Sequence, residues 1–291
     1  MVENSIADGT LQTYNRGVLT LAKFRTNFGL THIWPIPLNQ ICNFIAYLYQ
    51  ENLSHSTVKC YLAGISFYSR IYDFEDATQK FVVKKMLEGF RRQKAPGSDL
   101  RFPICKELFK KLVLVLPQVC KSKYEARLFQ AAFTLAYHGL LRIGEIAISK
   151  GRENHIISIS DVSVSLEGLR VRVPSSKTDQ IGAGAMLSLK YQNDHQICPG
   201  ILVKQYIADR PPYQGPLFCH FNGSPLTRYQ FISVLKKSLE CIGVKHDRFS
   251  SHSFRIGRAT SLAMEGISDI EIMRLGRWKS NAYKGYIRPI V

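Results

Sequence analysis

Apolar residues recur every three or four positions through residues 1–95, and this periodicity is the strongest constraint on the fold. The spacing is that of one face of an α-helix, so the segment can bury its apolar side chains only by packing helix against helix. Turn-forming residues divide the segment into four parts. The third part follows Ser54, a residue type favoured at helix N-termini. The pattern therefore predicts a small helical bundle.

Residues 93–103 have a composition unlike that of the segments on either side. They contain two prolines, one glycine and alternating charges, which is typical of an inter-domain linker. We therefore predict an N-terminal helical domain over residues 1–95, a linker over residues 96–103 and a second domain over residues 104–291.

The periodicity changes within the second domain. Residues 106–116 and 124–137 are helical in pattern, but between His155 and Leu189 apolar residues alternate with polar ones, which predicts β-strands. The alternation runs through Val162, Val164 and Leu166, turns at residues 167–168, and continues to Val173, with another short strand at residues 185–189. Helical patterns resume at residues 200–208, 227–241, 253–265 and 269–275. The predicted fold is mainly α with a small antiparallel β-sheet, an α+β fold.

The net charge indicates a polyanionic partner. The chain has 39 Lys and Arg against 22 Asp and Glu, a formal net charge of +17. Such an excess favours nucleic acid, although a generally basic surface without a specific target is the alternative. An anionic membrane is a poorer candidate because the basic residues do not follow a single amphipathic helix.

The fourth helical segment, from Thr78, carries a group of these basic residues. Its apolar residues are predicted to share one face: Phe81, Val82, Met86 and Phe90. The basic residues that occupy much of the remaining surface are candidates for binding DNA: Lys84, Lys85, Arg91 and Arg92.

No run of residues approaches the length of a transmembrane segment, and residues 1–8 lack a signal-peptide pattern, so we expect an intracellular protein. The seven cysteines are odd in number and include no C-x-x-C pair, which predicts reduced and mostly buried thiols. Cys219 and His220 are adjacent, but no second pair lies at zinc-ligand spacing, so we expect no metal site.

Three separated clusters each place a cation near the end of a predicted element. They are residues 139–145, which contain Arg142, residues 175–178, which contain Lys177, and residues 252–255, which contain His252 and Arg255. Two arginines with a lysine and a histidine could hold a phosphate and offset the charge that grows as it is attacked. Singly, each cluster also fits surface or salt-bridged residues.

The segment from Leu275 to Arg288 adds Trp278 and, close to the end of the sequence, Tyr286. In this order (Arg, Lys, His-x-x-Arg, Trp, Tyr) the clusters resemble the tyrosine recombinase (phage integrase) family. The resemblance covers residues 103–291 at the level of motifs. The preceding helical region resembles the core-binding domain of that family in length and character only.

The resemblance implies roles for the two arginines and their neighbour. Arg142 and Arg255 would clamp the non-bridging oxygens of the scissile phosphate, because a guanidinium presents a planar fork of donors. Glu145 would orient the cations of the site without itself contacting the phosphate.

It also implies roles for three further residues. Lys177 would protonate the departing 5′ oxygen. His252 would hydrogen-bond the phosphate and assist proton transfer from the nucleophile. Trp278 would donate its indole N–H while packing against the site.

Tyr286 would be the nucleophile, forming a covalent 3′-phosphotyrosyl intermediate and freeing a 5′ hydroxyl. A tyrosine hydroxyl is a poor nucleophile at neutral pH unless nearby cations stabilise its anion. Because the protein-DNA bond keeps the phosphoester energy, the resemblance implies a reaction without ATP, metal ion or other cofactor.

The sequence departs from the family pattern before the nucleophile. The usual interval of nine residues from the His/Trp position to the tyrosine leads back to Arg277, whereas Trp278 is eight residues before Tyr286. We favour Trp278, because Gly-Arg-Trp resembles the corresponding segment in recombinases of eukaryotic mobile elements, and Arg277 is the alternative. That likeness favours the nucleus over a bacterial cytoplasm.

Tyr283 is a second candidate nucleophile, three residues before Tyr286, but the Tyr-Ile-Arg context of Tyr286 fits the family better. Five residues follow Tyr286, whereas family members commonly continue into a helix that docks on a neighbouring subunit. We therefore expect weakened assembly into a tetramer.

Three functions fit these residues. The first is a recombinase acting on double-stranded DNA, as a homodimer on each site and a homotetramer in the synaptic complex. The second is a catalytically silent DNA-binding protein derived from such an enzyme. The third is a nicking enzyme similar to type IB topoisomerases. The order and completeness of the motifs favour the first.

Overall fold

The structure of the protein is a computed structural model that describes residues 5–94, 99–149, 156–174 and 184–288. It divides into two units, Met1–Asp99 and Leu100–Val291, each with its own hydrophobic core. The division lies within residues 96–103, which the sequence predicts to be a linker.

The secondary structure described for the first unit is helical, because its apolar residues repeat at the helical period. Ser54 is the N-cap of the third helix, as predicted, and its Oγ accepts a hydrogen bond of 3.2 Å from the Thr57 backbone N–H. A short 3-10 helix, Ala77–Gln79, precedes the fourth. The helices are α1 (Asp8–Asn27), α2 (Leu38–Gln50), α3 (His55–Ile71) and α4 (Phe81–Gln93).

Helices α1 and α3 approach each other closely at two glycines. A Cβ on Gly17 would lie 2.8 Å from the Tyr61 Cα, and a Cβ on Gly64 would lie 2.6 Å from the Tyr14 Cα. The absent side chains let the backbones meet.

The predicted apolar face of α4 is wrong in part. Phe81 is 74% exposed and Val82 is 41% exposed, whereas Val83 and Phe90 are buried in the core. The reason is register: α4 begins at Phe81, and its core-facing stripe starts at Val83. Lys84, Lys85, Arg91 and Arg92 are exposed on the rest of this helix, as predicted.

The second unit is built around α6, whose residues from Ala131 to Tyr137 are all buried. Phe129, Phe133 and Phe254 are fully buried in the same core. Its helices are α5 (Lys106–Val119), α6 (Lys123–His138), α7 (Ile143–Ile146), α8 (Pro199–Asp209), α9 (Arg228–Cys241), α10 (His252–Met264) and α11 (Asp269–Gly276), followed by a 3-10 helix at Asn281–Tyr286.

A three-stranded antiparallel sheet covers one part of this core. Its strands are β1 (Val162–Ser165), β2 (Gly168–Val173) and β3 (Ala185–Lys190), with β2 in the centre. Val164 pairs with Leu169, and Val171 pairs with Leu187. Leu166 was expected in the first strand but lies in the turn and is fully exposed, because β1 ends at Ser165. The prediction of a mainly α fold with a small antiparallel sheet is confirmed.

The cysteines are free thiols, but the expectation that most are buried is wrong. Only Cys198 and Cys219 are buried, while Cys60 and Cys241 are exposed and three are intermediate. In the described part of the chain, no helix combines the length and apolar character needed to cross a membrane.

Candidate active site

Helix α10 carries two of the predicted site residues in its first turn. His252 opens the helix and Arg255 follows three residues later. A backbone hydrogen bond holds the start of the helix, because the Ile104 N–H donates to the Ser253 carbonyl at 3.1 Å. At Gly257 a Cβ would lie 1.8 Å from the Ile104 carbonyl oxygen, so only glycine permits this approach. The first turn of α10 is therefore fixed by the core.

Arg255 is fully buried, at 0% exposure, and both terminal nitrogens bind backbone carbonyls. Nη1 donates to the Leu140 carbonyl, and Nη2 donates to the Gly276 carbonyl at 2.9 Å. The guanidinium carbon lies 4.4 Å from the Trp278 ring centre and 5.4 Å from the Tyr286 ring centre. Its Nε is buried and has no hydrogen-bond partner within the described residues.

The charge of Arg255 persists at physiological pH. Burial, and then the positive charges of Arg142 and Arg277, lower the pKa of Arg255 to about 10. A guanidinium with such a pKa is still protonated at neutral pH. The arginines are close enough to influence one another, so the three form one cationic cluster.

Arg142 precedes the short helix α7 and is paired with Glu145. The Arg142 backbone N–H donates to Glu145 Oε2 at 2.9 Å, and Nη1 donates to Oε1 at 3.3 Å. The Glu145 side chain is 4% exposed, whereas that of Arg142 is 23% exposed. The carboxylate is thus buried behind an arginine that reaches solvent.

Arg277 is bound to the same segment. Nη2 donates to Glu145 Oε2 at 2.9 Å and to the Leu140 carbonyl at 3.3 Å, while Nη1 donates to the Gly139 carbonyl at 3.2 Å. Burial lowers the pKa of Arg277, and the Glu145 carboxylate opposes that shift. Trp278, the favoured candidate for the His/Trp position, instead packs its ring against Arg255, and its ring centre lies 5.0 Å from that of Tyr286.

Tyr286 ends the final 3-10 helix, and its hydroxyl oxygen lies 2.7 Å from His252 Nε2. Its backbone is held at the same time, because the Thr260 hydroxyl donates to the Tyr286 carbonyl at 3.1 Å. The phenol and the imidazole are therefore in hydrogen-bonding contact beside the buried guanidinium of Arg255.

Tyr283 occupies a different environment. It is 1% exposed, within a small cluster that also contains Leu140, Ala259 and Ile272. A hydrogen bond to the Asp269 carboxylate, and then burial, raises the pKa of Tyr283 to about 12. A buried phenol that holds its proton so tightly is poorly suited to attack, so the geometry favours Tyr286.

The structure brings together Arg142, Glu145, Arg255 and Tyr286, with His252, Trp278 and Arg277 in contact with them. Lys177 lies outside the described residues. The basic residues of α4 belong to the other unit. Among the described residues, no group of three or more His, Cys, Asp or Glu side chains could hold a metal ion.

Two contributors were not found from the sequence. The Leu140 carbonyl accepts from Arg255 and Arg277, and Thr260 holds the backbone of Tyr286. A backbone carbonyl leaves no signal in a sequence. Thr260 lies on α10, but its contact with Tyr286 spans 26 residues and depends on tertiary packing.

Comparison with known proteins gives matches along nearly the whole chain. Residues 108–286 match the model of the phage integrase family. A homolog of the integrase/recombinase xerD from Selenomonas ruminantium is 25% identical over 293 residues, which cover 96% of this chain and 81% of the relative.

Solved structures share the fold at low sequence identity. The XerH site-specific recombinase bound to its difH substrate is 16% identical with a TM-score of 0.60, over 96% of this chain and 75% of that one. A lambda integrase dimer bound to a COC′ core site is 15% identical with a TM-score of 0.64, over 97% of this chain and 72% of that one.

Proposed function

The chain belongs to the phage integrase family, and from this we propose that it is a site-specific DNA recombinase or integrase that cleaves and rejoins DNA through a 3′-phosphotyrosyl bond to Tyr286. One observation carries the proposal. The Tyr286 hydroxyl lies 2.7 Å from His252 Nε2, beside the buried guanidinium of Arg255. A nucleophile from the end of the sequence thus meets a proton acceptor and a cation from the first turn of α10.

In the proposed cleavage step, the Tyr286 oxygen bonds to phosphorus as its proton passes to His252, and the bond from phosphorus to the 5′ oxygen breaks. The 5′ oxygen takes up a proton and leaves as a hydroxyl. The family resemblance assigns the donation of this proton to Lys177. Attack of a 5′ hydroxyl on the phosphotyrosine reverses the step without ATP or a metal ion.

Arg142 and Arg255 would offset the negative charge that develops on the phosphate oxygens. The buried Nε of Arg255 supports this role, because it lacks an acceptor among the described residues. Buried donors normally have partners, and a phosphate oxygen would supply this one.

The partner we propose is double-stranded DNA, which the net charge of +17 also favours. The XerH and lambda integrase structures contain bound DNA, and the lambda protein is a dimer there. We propose that this chain also forms a dimer on each site and a tetramer during strand exchange.

We also propose an origin in a eukaryotic mobile element and a nuclear location. Both rest on the likeness of residues 276–278, Gly-Arg-Trp, to the corresponding segment in recombinases of such elements. Terminal repeats flanking the gene would support them.

The nucleophile can be tested by covalent trapping. A random-sequence duplex pool selected on the protein supplies the bound sequence, which is then prepared as a nicked duplex and incubated in EDTA. We expect an adduct that survives denaturation, which Tyr286→Phe abolishes and Tyr283→Phe retains, because the Tyr286 hydroxyl lies 2.7 Å from His252 Nε2 whereas Tyr283 is buried in a hydrophobic cluster.

Other outcomes of this experiment would favour a different function or a different mechanism. Absence of an adduct with every selected duplex would favour the silent DNA-binding protein. A requirement for a divalent cation, or an adduct lost only in Tyr283→Phe, would overturn the mechanism. Relaxation of supercoiled DNA without strand exchange would indicate the topoisomerase-like activity.

A further inference from the structure

Arg277 stands where a glycine is usual. It follows α11 with φ at 56°, in the left-handed region that side chains rarely adopt. The Arg277 N–H donates to the Arg274 carbonyl at 3.1 Å and the Trp278 N–H donates to the Met273 carbonyl at 2.9 Å, a helix ending that commonly has glycine at this position. A strained arginine here suggests that its side chain is needed.

The contacts of Arg277 lead to the two arginines proposed to bind phosphate. Through Glu145 it reaches Arg142, since the carboxylate accepts from both guanidinium groups. Through the Leu140 carbonyl it reaches Arg255, since that oxygen accepts from both side chains. Leu140 itself has φ at 48°, so this carbonyl belongs to a strained turn that the two arginines hold.

Glu145 would pair differently without Arg277. The carboxylate is 4% exposed and now shares its charge between two cations. With Arg277 removed, Arg142 would be the only guanidinium on this buried charge, and the attraction would draw it away from a phosphate. Arg277 thus keeps part of the positive charge of Arg142 available.

We propose that Arg277 is a positioning residue that holds Glu145 and the Leu140 carbonyl, so that Arg142 and Arg255 face one phosphate, and that it does not bind the phosphate itself. This rests on the proposed function. Arg277 differs from Arg255 in its acceptors: Arg277 Nη2 donates to the Glu145 carboxylate at 2.9 Å, whereas both terminal nitrogens of Arg255 donate to uncharged backbone carbonyls. The charge of Arg277 is therefore already paired with a buried carboxylate. Its Nε, like that of Arg255, is buried without a partner among the described residues, so the test must separate positioning from direct binding.

Two measurements separate positioning from direct binding in Arg277→Gln. The rate of adduct formation in a single turnover should fall about 100-fold, the size expected when reacting groups are slightly misplaced. The dependence of DNA affinity on salt should keep its slope, whereas Arg142→Gln should lower it by about 0.9, as expected when one phosphate is no longer neutralised. Arg277→Lys, which keeps the charge but not the fork, should recover part of the rate.

A double variant tests the route through Glu145. If Arg277 acts through this carboxylate, Arg277→Gln combined with Glu145→Gln should be no slower than Glu145→Gln alone. The matched control is Arg274→Gln, in the last turn of α11 and three residues before Arg277, because the Arg274 side chain is 70% exposed and paired with Glu271 at the surface. It should leave the rate unchanged, and thermal unfolding of every variant verifies folding.

The opposite results would overturn the proposal. A lower salt slope in Arg277→Gln, with rate losses that add to those of Glu145→Gln, would make Arg277 a phosphate ligand. An unchanged rate would leave it without a role. If the wild-type chain bound DNA but formed no adduct, the proposed function would fail separately. In that case the DNA affinities of Arg277→Gln, Glu145→Gln and the double variant would still test whether Arg277 acts through Glu145. Losses of affinity that do not add in the double variant would support this coupling, and losses that add would refute it.

Discussion

Single residues in the second unit are held in states that their type rarely adopts. Arg255 is fully buried as a cation, and Leu140 and Arg277 have left-handed backbones. A buried charge is costly unless hydrogen bonds compensate, and carbonyls of the left-handed turn supply them here. The cationic cluster is therefore kept charged by backbone carbonyls as well as by the carboxylate of Glu145.

His138 shows the opposite response to burial. It ends α6 with Nδ1 3.1 Å from Gln192 Nε2, and its own Nε2 is buried without a hydrogen-bond partner among the described residues. Burial, and then the charge of Arg258, lower the pKa of His138 to about 3. The ring is therefore neutral in the folded protein at neutral pH.

This makes stability depend on pH. An unfolded histidine binds a proton below about pH 6.5, whereas the folded ring does so only near pH 3, so stability is lost as pH falls through this window. Between about pH 7.5 and about pH 5 the loss attributable to His138 is about 2 kcal/mol. Urea unfolding should show this loss in the wild-type chain and not in His138→Gln. Equal pH dependence of the two proteins would contradict it.

At the scale of elements, close helix packing depends on where glycines lie. Gly64 of α3 is in contact with the backbone of Tyr14, whereas a Cβ on Gly89 of α4 would meet nothing within 4 Å. Both glycines lie inside helices of the first unit, so they form a matched pair that differs in surroundings.

Replacing each by alanine should change stability in opposite directions. Gly64→Ala should lower the free energy of unfolding by about 1–3 kcal/mol, because the methyl group forces α1 away from α3. Gly89→Ala should raise it by up to about 1 kcal/mol through helix propensity. Denaturant unfolding measures both, and changes of the same sign would show that the packing of α1 on α3 does not set the cost.

For the whole molecule, the excess of positive charge is distributed over exposed side chains that include the basic group of α4. Lys84, Lys85, Arg91 and Arg92 are all exposed, and Lys85 is paired with Glu88 at 2.9 Å. Exposed pairs of this kind contribute little to stability, so these cations can exchange their partners for phosphates at small cost.

The salt dependence of DNA binding should report how many of them do so. Changing all four to glutamine should lower the slope of log affinity against log salt by about 3 to 4, because each phosphate that a cation neutralises accounts for about 0.9. The measurement is a binding titration at several salt concentrations, with circular dichroism to verify folding. An unchanged slope would remove α4 from the proposed DNA-binding surface.

The hydrophobic periods determined the helices and the sheet, because burial of one face is a local property of the pattern. The order of Arg142, His252, Arg255 and Tyr286 led to the proposed chemistry through its resemblance to the phage integrase family. The hydrophobic pattern gave wrong predictions where the surroundings of a residue depend on distant parts of the chain. Phe81 is apolar but exposed, and Leu166 continues the alternation into a turn.

The different environments of neighbouring residues were decided by tertiary structure alone. Tyr283 and Tyr286 are three residues apart, yet one is buried beside Asp269 and the other contacts His252. Arg277 and Trp278 are adjacent, yet one binds Glu145 and the other packs on Arg255. In each case the side chain takes its environment from residues distant in sequence, and no local pattern encodes contacts made only when the chain folds.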